Sequence, residues 1–448
     1  MKKYFIKTYG CQMNEQDSSK MEALLGKDGY VRASSAAEAD VVVLNTCSVR
    51  EKSYHKAVSH IARMKQAGEA KVLAVTGCVV SHSGDAILKR FPQVDMVLGP
   101  DHVAALPELA RKAKEGGGRF SRIDFSDLSD YEFPSPIVTD QRQVKAYVTI
   151  MKGCDNACSF CIVPFTRGAE VSRRPEEIID EINRLSAQGV REVMLLGQNV
   201  NSYGKGLTPQ SQKTSFARLL RQVDEETSID RLRFTSPHPK DLSPALIEEY
   251  ARNRKLCPHM HLPVQSGSSR VLKRMRRSYT RGTYLRRVED LRRVVPDVAI
   301  TADIIVGFPG ETEADFEETL SLVREVGYDA SYCFAYSRRP GTEAAGFPDD
   351  VPPESKKERL DRLQILQAEI SLAKNRQRIG RIEDVLAEGP SADGHGQLMG
   401  RTPHGRIVNF DGGPERTGDI LKIEVTDASP YSLKGRVSDK EAVVGSTH

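Results

Sequence analysis

Three cysteines, Cys154, Cys158 and Cys161, stand on one short stretch, GCDNACSFCIVPFTRG, from Gly153 to Gly168. The spacing C-x3-C-x2-C puts three thiolates on a single tight loop. Three thiolates can ligate three irons of a cubane cluster and leave the fourth iron open to a small chelating molecule. A structural zinc site would close four ligands on one ion, and no fourth ligand is visible nearby. Three more cysteines, Cys11, Cys47 and Cys78, are far apart in the chain but equivalent in position, because each follows a β-type run, in KTYGC, LNTC and VTGC. They suggest a second cluster with one unligated iron. The other two of the 8 cysteines, Cys257 and Cys333, are single and read as ordinary buried residues. Clustered cysteines in a chain of this size point to metal rather than disulfides.

The elements that must position these sets alternate between strand and helix. Up to about Gly118 the β-type runs begin at Lys2, Asp40, Lys71 and Asp95. Between them lie helical patterns such as SVREKSYHKAVSHIARMKQ, with Ser48 as its N-cap. Strand–helix alternation predicts a doubly wound parallel sheet over residues 1–118, in which residues just past the carboxyl ends of the strands converge on one crevice. A polar stretch rich in Gly, Ser, Asp and Pro reads as a linker over 119–144. Six more strand runs follow: AYVTI, EVMLLG, RLRFTS, HMHLPV, AITADIIVG and ASYCFAYS. They predict a partial (β/α)6 barrel over 145–375 with its site at the carboxyl ends of the strands. Ser236, Gln265 and Asp303 would point into that mouth, and His259 and His261 share one strand face, lining the site or the core. The Gly-rich GFPGE lacks the Lys-Ser/Thr of a phosphate loop, which excludes nucleotide hydrolysis. A charged helix from about Pro353 to Ile379 leads to a short strand-rich region over 376–440, a small β-barrel of the kind used on RNA. The chain is therefore expected to be an α/β multidomain protein.

With 448 residues, two or three domains are expected, and 39% hydrophobic with 28% charged residues reads as soluble and globular. No window approaches the roughly 20 apolar residues that span a bilayer. MKKYFIKTYGC has no apolar signal core, so a cytoplasmic protein without a membrane partner is expected. The net charge of +4 permits nucleic-acid binding without implying it. The stretch from Arg270 to Arg293 is densely basic, with Tyr279 and Tyr284 interleaved, a composition suited to phosphate contact and base stacking.

The Cys154–Cys161 loop resembles the radical S-adenosylmethionine signature. That resemblance implies an open iron holding the amino and carboxylate groups of the cofactor, whose cleavage yields a 5′-deoxyadenosyl radical, with Phe160 against its adenine. TYGCQMNEQDS (Thr8 to Ser18), NTCSVRE (Asn45 to Glu51) and Gly77–Cys78 resemble the N-terminal domain of the methylthiotransferase family, in the wording of its MiaB type. LMGRT, VNFDG, TGDILKIEV and SLKGRV resemble a TRAM domain. The likeness runs from Tyr4 to Val437. It implies two [4Fe-4S] clusters, on Cys11, Cys47 and Cys78 and on Cys154, Cys158 and Cys161. It implies S-adenosyl-L-methionine beside Phe160, Gln198, Asn199, Ser236, Gln265 and Asp303. It implies substrate contacts from Gln12, Asn14, Asn45, Arg276, Arg277, Arg401 and Lys434. The implied reaction is methylthiolation at C2 of N6-isopentenyladenosine in a tRNA anticodon loop, consuming two cofactor molecules. An electron donor such as flavodoxin or ferredoxin, a sulfur source and a monomeric state go with it. The rival readings are a methylthiotransferase acting on another tRNA adenosine or a ribosomal protein, and a non-catalytic iron–sulfur RNA-binding protein.

Overall fold

Runs such as VVVLNT and VLAVTG are apolar at every position except their ends, the pattern of parallel strands covered on both faces. The structure, a computed structural model, describes residues 1–48, 58–62, 72–125, 133, 143–205, 214–392 and 396–438. Strands β1 (Lys2–Thr8), β2 (Tyr30–Arg32), β3 (Val41–Thr46), β4 (Val72–Gly77), β5 (Met96–Leu98) and β6 (Phe120–Arg122) form one sheet in the order β2-β1-β3-β4-β5-β6. Every pairing is parallel. Strands β3 and β4 are buried along their whole length. The chain runs outward to β2 and then reverses to β3, so the topological switch point lies between β1 and β3, where an open α/β sheet forms its crevice. Two edge strands were not expected. Strand β2 is three residues long, and β6 extends the sheet into residues read as the start of the linker. Runs that short carry no period. Of the helix expected after Ser48, only 58–62 is described, and it is helical, while 49–57 and 63–71 lie outside the described residues. Most of the linker, 126–132 and 134–142, also lies outside them.

The six barrel strands are all present. Strand β7 (Lys145–Thr149) is followed by a ribbon of β8 (Met151–Lys152) and β9 (Val171–Ser172), which pair antiparallel and bracket the Cys154 loop. Strands β10 (Glu192–Leu196) and β11 (Arg231–Phe234) complete a parallel sheet, β11-β10-β7, and β12 (His259–His261), β13 (Ala299–Val306) and β14 (Ala330–Ala335) form a second, β12-β13-β14. Leu232 N–H donates to the Lys255 carbonyl at 2.7 Å and Cys257 N–H to the Leu232 carbonyl at 3.0 Å, which continues the arc between the two sheets. Alternate residues such as Val148, Val193, Leu232, Met260, Ile300 and Ile304 face a single outer core shared with the helices. The opposite set, including Glu192, Arg233, His261, Asp303 and Tyr332, is left to line the inside.

The third region is a closed barrel in the order β15-β16-β17-β19-β18, from β15 (Ile382–Pro390), β16 (Gln397–Arg401), β17 (Ile407–Asp411), β18 (Ile420–Ala428) and β19 (Leu433–Val437). Its turn after Arg401 plugs the amino-terminal end of the larger barrel. Arg233 donates to the carbonyls of Pro403 (2.9 Å) and Thr402 (2.8 Å), and Arg231 to those of Arg401 (2.7 Å) and Asp384 (3.0 Å). Arg233 is also ion-paired with buried Glu192 at 2.9 Å. Removing one partner of a buried pair costs about 3–5 kcal/mol, because the other charge is left unpaired. Arg233→Met is therefore expected to lower the thermal unfolding midpoint by several degrees, and an unchanged midpoint would show that the plug contributes little.

Candidate functional site

Cys11 and Cys47 lie immediately beyond β1 and β3, on either side of the switch point, and Cys78 follows β4. Cys11 caps the helix Gln12–Lys27, and Cys78 opens the helix Cys78–Arg90. Helix N-termini favour thiolates through their free N–H groups. The Cys11 thiol is drawn down to about 6, first by its hydrogen bond with Cys47, with Arg167 and the backbone N–H groups of Asn14 and Met13 acting the same way against burial. Burial pushes the Cys78 thiol up, opposed by Arg167. The turn before Cys78 needs glycine, since Gly77 has φ 91° and a side chain there would strike the Thr46 carbonyl and Asn45.

Asn14 and Asn45, expected to touch substrate, do something else. Both are wholly buried. Asn14 Nδ2 donates to Asn45 Oδ1 (2.9 Å) and to the Thr46 carbonyl (3.1 Å), while Asn45 Nδ2 donates to the Asn14 carbonyl (2.7 Å) and Ser18 Oγ (2.9 Å). Asn14 Oδ1 in turn accepts from Cys11 Sγ at 3.4 Å. With their amides spent on each other, the two residues clasp the loops that carry Cys11 and Cys47. Gln12 is half-buried on the first turn of the same helix.

In the barrel, the loop between β8 and β9 carries Cys154, Cys158 and Cys161. Its turn depends on Gly153, at φ 74°, where a side chain would collide with the Ala169 carbonyl. Ser159 pins the loop across the mouth, its N–H donating to the Met275 carbonyl (3.1 Å) and its Oγ to the Arg274 carbonyl (2.8 Å). Burial raises the Cys154 thiol and pushes Cys161 up to about 12. Phe160 is half-buried, edge-on to Phe308 with ring centroids 6.4 Å apart.

One dipeptide joins the two sets. Arg167 Nε donates to Cys78 Sγ at 3.1 Å, and the carbonyl of Gly168 accepts from the Cys154 N–H at 3.1 Å. Arg167 Nη2 also binds Asp17 on the helix that follows Cys11, at 2.7 Å. Sequence reasoning missed this residue, although it ends the motif that carries Cys154, Cys158 and Cys161.

The other expected cofactor contacts gather at the carboxyl ends of the barrel strands. Asn199 is 2% exposed and donates through Nδ2 to Asp241 Oδ2 at 3.0 Å, and Gln198 is half-buried beside it. Gln198 Oε1, Asn199 Oδ1 and Glu170 Oε1 are buried acceptors without a hydrogen-bond partner. Such acceptors fit a ligand that brings N–H groups. Among the described residues, the non-glycine positions with positive φ are Ser236 (61°) and Gln265 (72°), both expected beside the cofactor, and Arg276 (54°), which closes the helix Ser269–Arg274. Backbone strain of this kind costs about 1–3 kcal/mol per residue and concentrates where a site over-determines the chain. Beyond β12, the backbone of Gln265 pairs with β13, its N–H donating to the Asp303 carbonyl (2.9 Å) and its carbonyl accepting from the Ile305 N–H (2.8 Å). His261 lies inside the barrel, 3.6 Å from Asp303 and bonded to Thr301 at 3.0 Å, and burial holds neighbouring His259 well below the usual imidazole range. Cys257 is buried and Cys333 half-buried, and both are free.

Three expectations about the RNA face are corrected. Tyr279 and Tyr284 are 7% and 0% exposed, and their hydroxyls donate to carbonyls of the Leu262–Val264 segment, so their rings pack in the core, against each other and His238, and offer no face to a base. Arg277 turns inward: it donates to Cys158 Sγ (3.4 Å), Tyr279 Oη (2.9 Å) and the Pro263 carbonyl (3.1 Å). Arg401 is paired with Glu388, which also takes Lys145, at the seam between the two barrels. Arg276 stays exposed beside Glu343 (2.9 Å), and Lys434 is exposed on β19.

Among the described residues, no three His, Cys, Asp or Glu side chains draw close enough to hold one metal ion. A cubane spreads its thiolates over separate irons, so the two three-thiol sets fit clusters of that kind.

Residues 3–99 match the family described as Uncharacterized protein family UPF0004, residues 148–323 the Radical SAM superfamily, and residues 376–438 the TRAM domain. A solved structure of a radical S-adenosylmethionine methyltransferase, TsrM, from Kitasatospora setae, with cobalamin and a [4Fe-4S] cluster bound, shares the fold with a TM-score of 0.55 and 14% identity, over 88% of this chain and 82% of that one. A tRNA-2-methylthio-N(6)-dimethylallyladenosine synthase of Syntrophotalea carbinolica is 44% identical over 97% of this chain and 99% of its own length. The enzyme of that name from Chromobacterium violaceum is 45% identical over 99% of this chain and 100% of its own length. On that likeness from end to end, this chain belongs to the tRNA-2-methylthio-N(6)-dimethylallyladenosine synthase family of radical S-adenosylmethionine enzymes.

Proposed function

We propose that this protein adds a methylthio group at C2 of N6-isopentenyladenosine, next to the anticodon in tRNA. The observation that carries the reading is the Arg167–Gly168 dipeptide, which ties the Cys11, Cys47 and Cys78 set to the Cys154, Cys158 and Cys161 set. Each set holds a [4Fe-4S] cluster. When bound, the two clusters and S-adenosylmethionine supply radical removal of the C2 hydrogen and delivery of the methylthio group, chemistry that side-chain acids and bases lack.

The chain's own residues position the reactants. Gln198, Asn199, Ser236, Gln265 and Asp303 would hold the cofactor, and Phe160 would offer an aromatic face to its adenine. The Asn14–Asn45 clasp keeps the Cys11 and Cys47 loops in place while substrate enters. Gln12, Arg276 and Lys434 face the RNA, whose adenosine leaves the stack of a single-stranded loop at low cost. The domains act as residues 1–118 for sulfur delivery, 145–375 for radical chemistry and 376–440 for RNA. Among the described residues no helix is long and apolar enough to cross a membrane. A cytoplasmic monomer served by a flavodoxin or ferredoxin and by a separate sulfur source completes the reading.

The test is anaerobic iron and sulfide analysis, followed by an assay on isopentenylated tRNA. About eight irons per chain, the content of two cubane clusters, and a methylthiolated product are expected. About four irons, or product on unprenylated tRNA alone, would overturn the reading.

A further inference from the structure

Each cysteine set is met by one arginine that no carboxylate fully claims. Arg167 is 6% exposed at its side chain, with Nε on Cys78 Sγ (3.1 Å) and Nη2 on Asp17 (2.7 Å). Arg277 has Nη1 on Cys158 Sγ (3.4 Å), and its other hydrogen-bond partners, Tyr279 Oη and the Pro263 carbonyl, are neutral. A buried guanidinium would find a better partner in a carboxylate or a run of carbonyls, as Arg233 does. Aiming it at a thiol makes sense where that sulfur carries negative charge.

We propose that Arg167 and Arg277 are positioning residues that set the electron affinity of the two iron–sulfur groups, one guanidinium per set, through N–H···S bonds to Cys78 and Cys158. The proposal rests on the reading of both sets as cluster ligands. Hydrogen bonds and positive charge at the ligating sulfurs favour the reduced cluster, which is one electron more negative. The two sites are not equivalent. The charge of Arg167 is shared with Asp17, whereas that of Arg277 has Cys158 as its one anionic partner among those contacts. Removing Arg277 should therefore shift its cluster further than removing Arg167 shifts the other.

The experiment is a dithionite redox titration of full-length protein followed by electron paramagnetic resonance. The cluster at Cys11, Cys47 and Cys78 is read with Cys154, Cys158 and Cys161 replaced by Ala, and the other cluster with the reciprocal triple replacement. R167M is expected to lower the reduced-to-oxidised ratio of its own cluster about tenfold at a fixed potential, a shift of about 59 mV for one electron. R167K should recover part of that shift, because the charge returns without the planar fork. R277M should leave the Cys11-set cluster unmoved and shift the Cys154-set cluster at least as far as R167M shifts its own. Unchanged midpoints in R167M and R277M at full iron loading would overturn the proposal. If R167M loads no iron, D17N decides: it keeps the guanidinium, removes the countercharge, and should make reduction of the Cys11-set cluster easier. An unmoved midpoint there also overturns it. A parent protein holding iron at only one set would instead sink the two-cluster reading, which separates the two failures.

Discussion

Cys154→Ala is expected to abolish cleavage of S-adenosylmethionine while the iron of the N-terminal set stays in place. Cys154 is 8% exposed and sits at the start of a loop held by Gly153 and by the β8–β9 ribbon. Two remaining thiolates do not retain a cubane, so total iron should fall from about eight to about four per chain. The N-terminal set survives because Cys154 reaches the Arg167–Gly168 dipeptide through its backbone, an N–H···O bond of 3.1 Å that alanine keeps. The Arg167 contact to Cys78 is thus untouched. Formation of 5′-deoxyadenosine under reducing conditions, measured by liquid chromatography, should drop by at least about a thousandfold, equivalent to roughly 4 kcal/mol on the barrier. Cleavage within tenfold of wild type would remove Cys154 from the ligand set.

The second large effect is at Cys47. It is fully buried beyond β3 and hydrogen-bonded to Cys11. Alanine fits the same backbone, and the Asn14–Asn45 clasp that shapes the loop involves no atom of Cys47. The barrel set has its own loop and its own arginine, so it should still load iron and still cleave the cofactor. Sulfur delivery depends on the N-terminal set, and methylthiolated nucleoside should fall to background when digested tRNA is analysed by mass spectrometry. The expected signature is an uncoupled enzyme: 5′-deoxyadenosine accumulates and the methylthio product does not. Methylthiolation at wild-type level in Cys47→Ala would exclude this set as the sulfur carrier.

Much of the site could be read from local chain chemistry. The β-type runs that end at Cys47 and Cys78 are apolar and β-branched, the run before Cys11 alternates its buried residues, and such runs form strands wherever they are covered. Parallel strands then bring their carboxyl ends to one edge without further instruction. The Cys154, Cys158 and Cys161 loop is short enough for spacing alone to define it. Ser236, Gln265 and Arg276 were singled out by their place after strands or in a basic run, and all three have positive φ, a backbone feature that residue type alone does not announce. The strands β2 and β6 escaped notice because three residues show no alternation.

Polar side chains were the weak point, and the reason is physical. The type of a polar residue states that it needs a partner, while the fold chooses which one. Asn14 and Asn45 looked like substrate contacts until β1 and β3 placed them 2.9 Å apart. Tyr279 and Tyr284 looked like stacking platforms because they stand among arginines, yet the turn before the helix Arg281–Val294 and the first turn of that helix direct them inward to the core. Arg277 and Arg167 carry the same charge as their exposed neighbours, but their guanidiniums end on sulfur. Sequence by itself determined the strands that end at Cys11, Cys47 and Cys78, the loop that holds Cys154, Cys158 and Cys161, and the order of three domains, since each depends on residues close together in the chain. Only the tertiary structure decided what surrounds the sulfurs, because Arg167 meets Cys78 across 89 residues and Asp17 across 150, and burial leaves each polar group only the partners packing brings within reach.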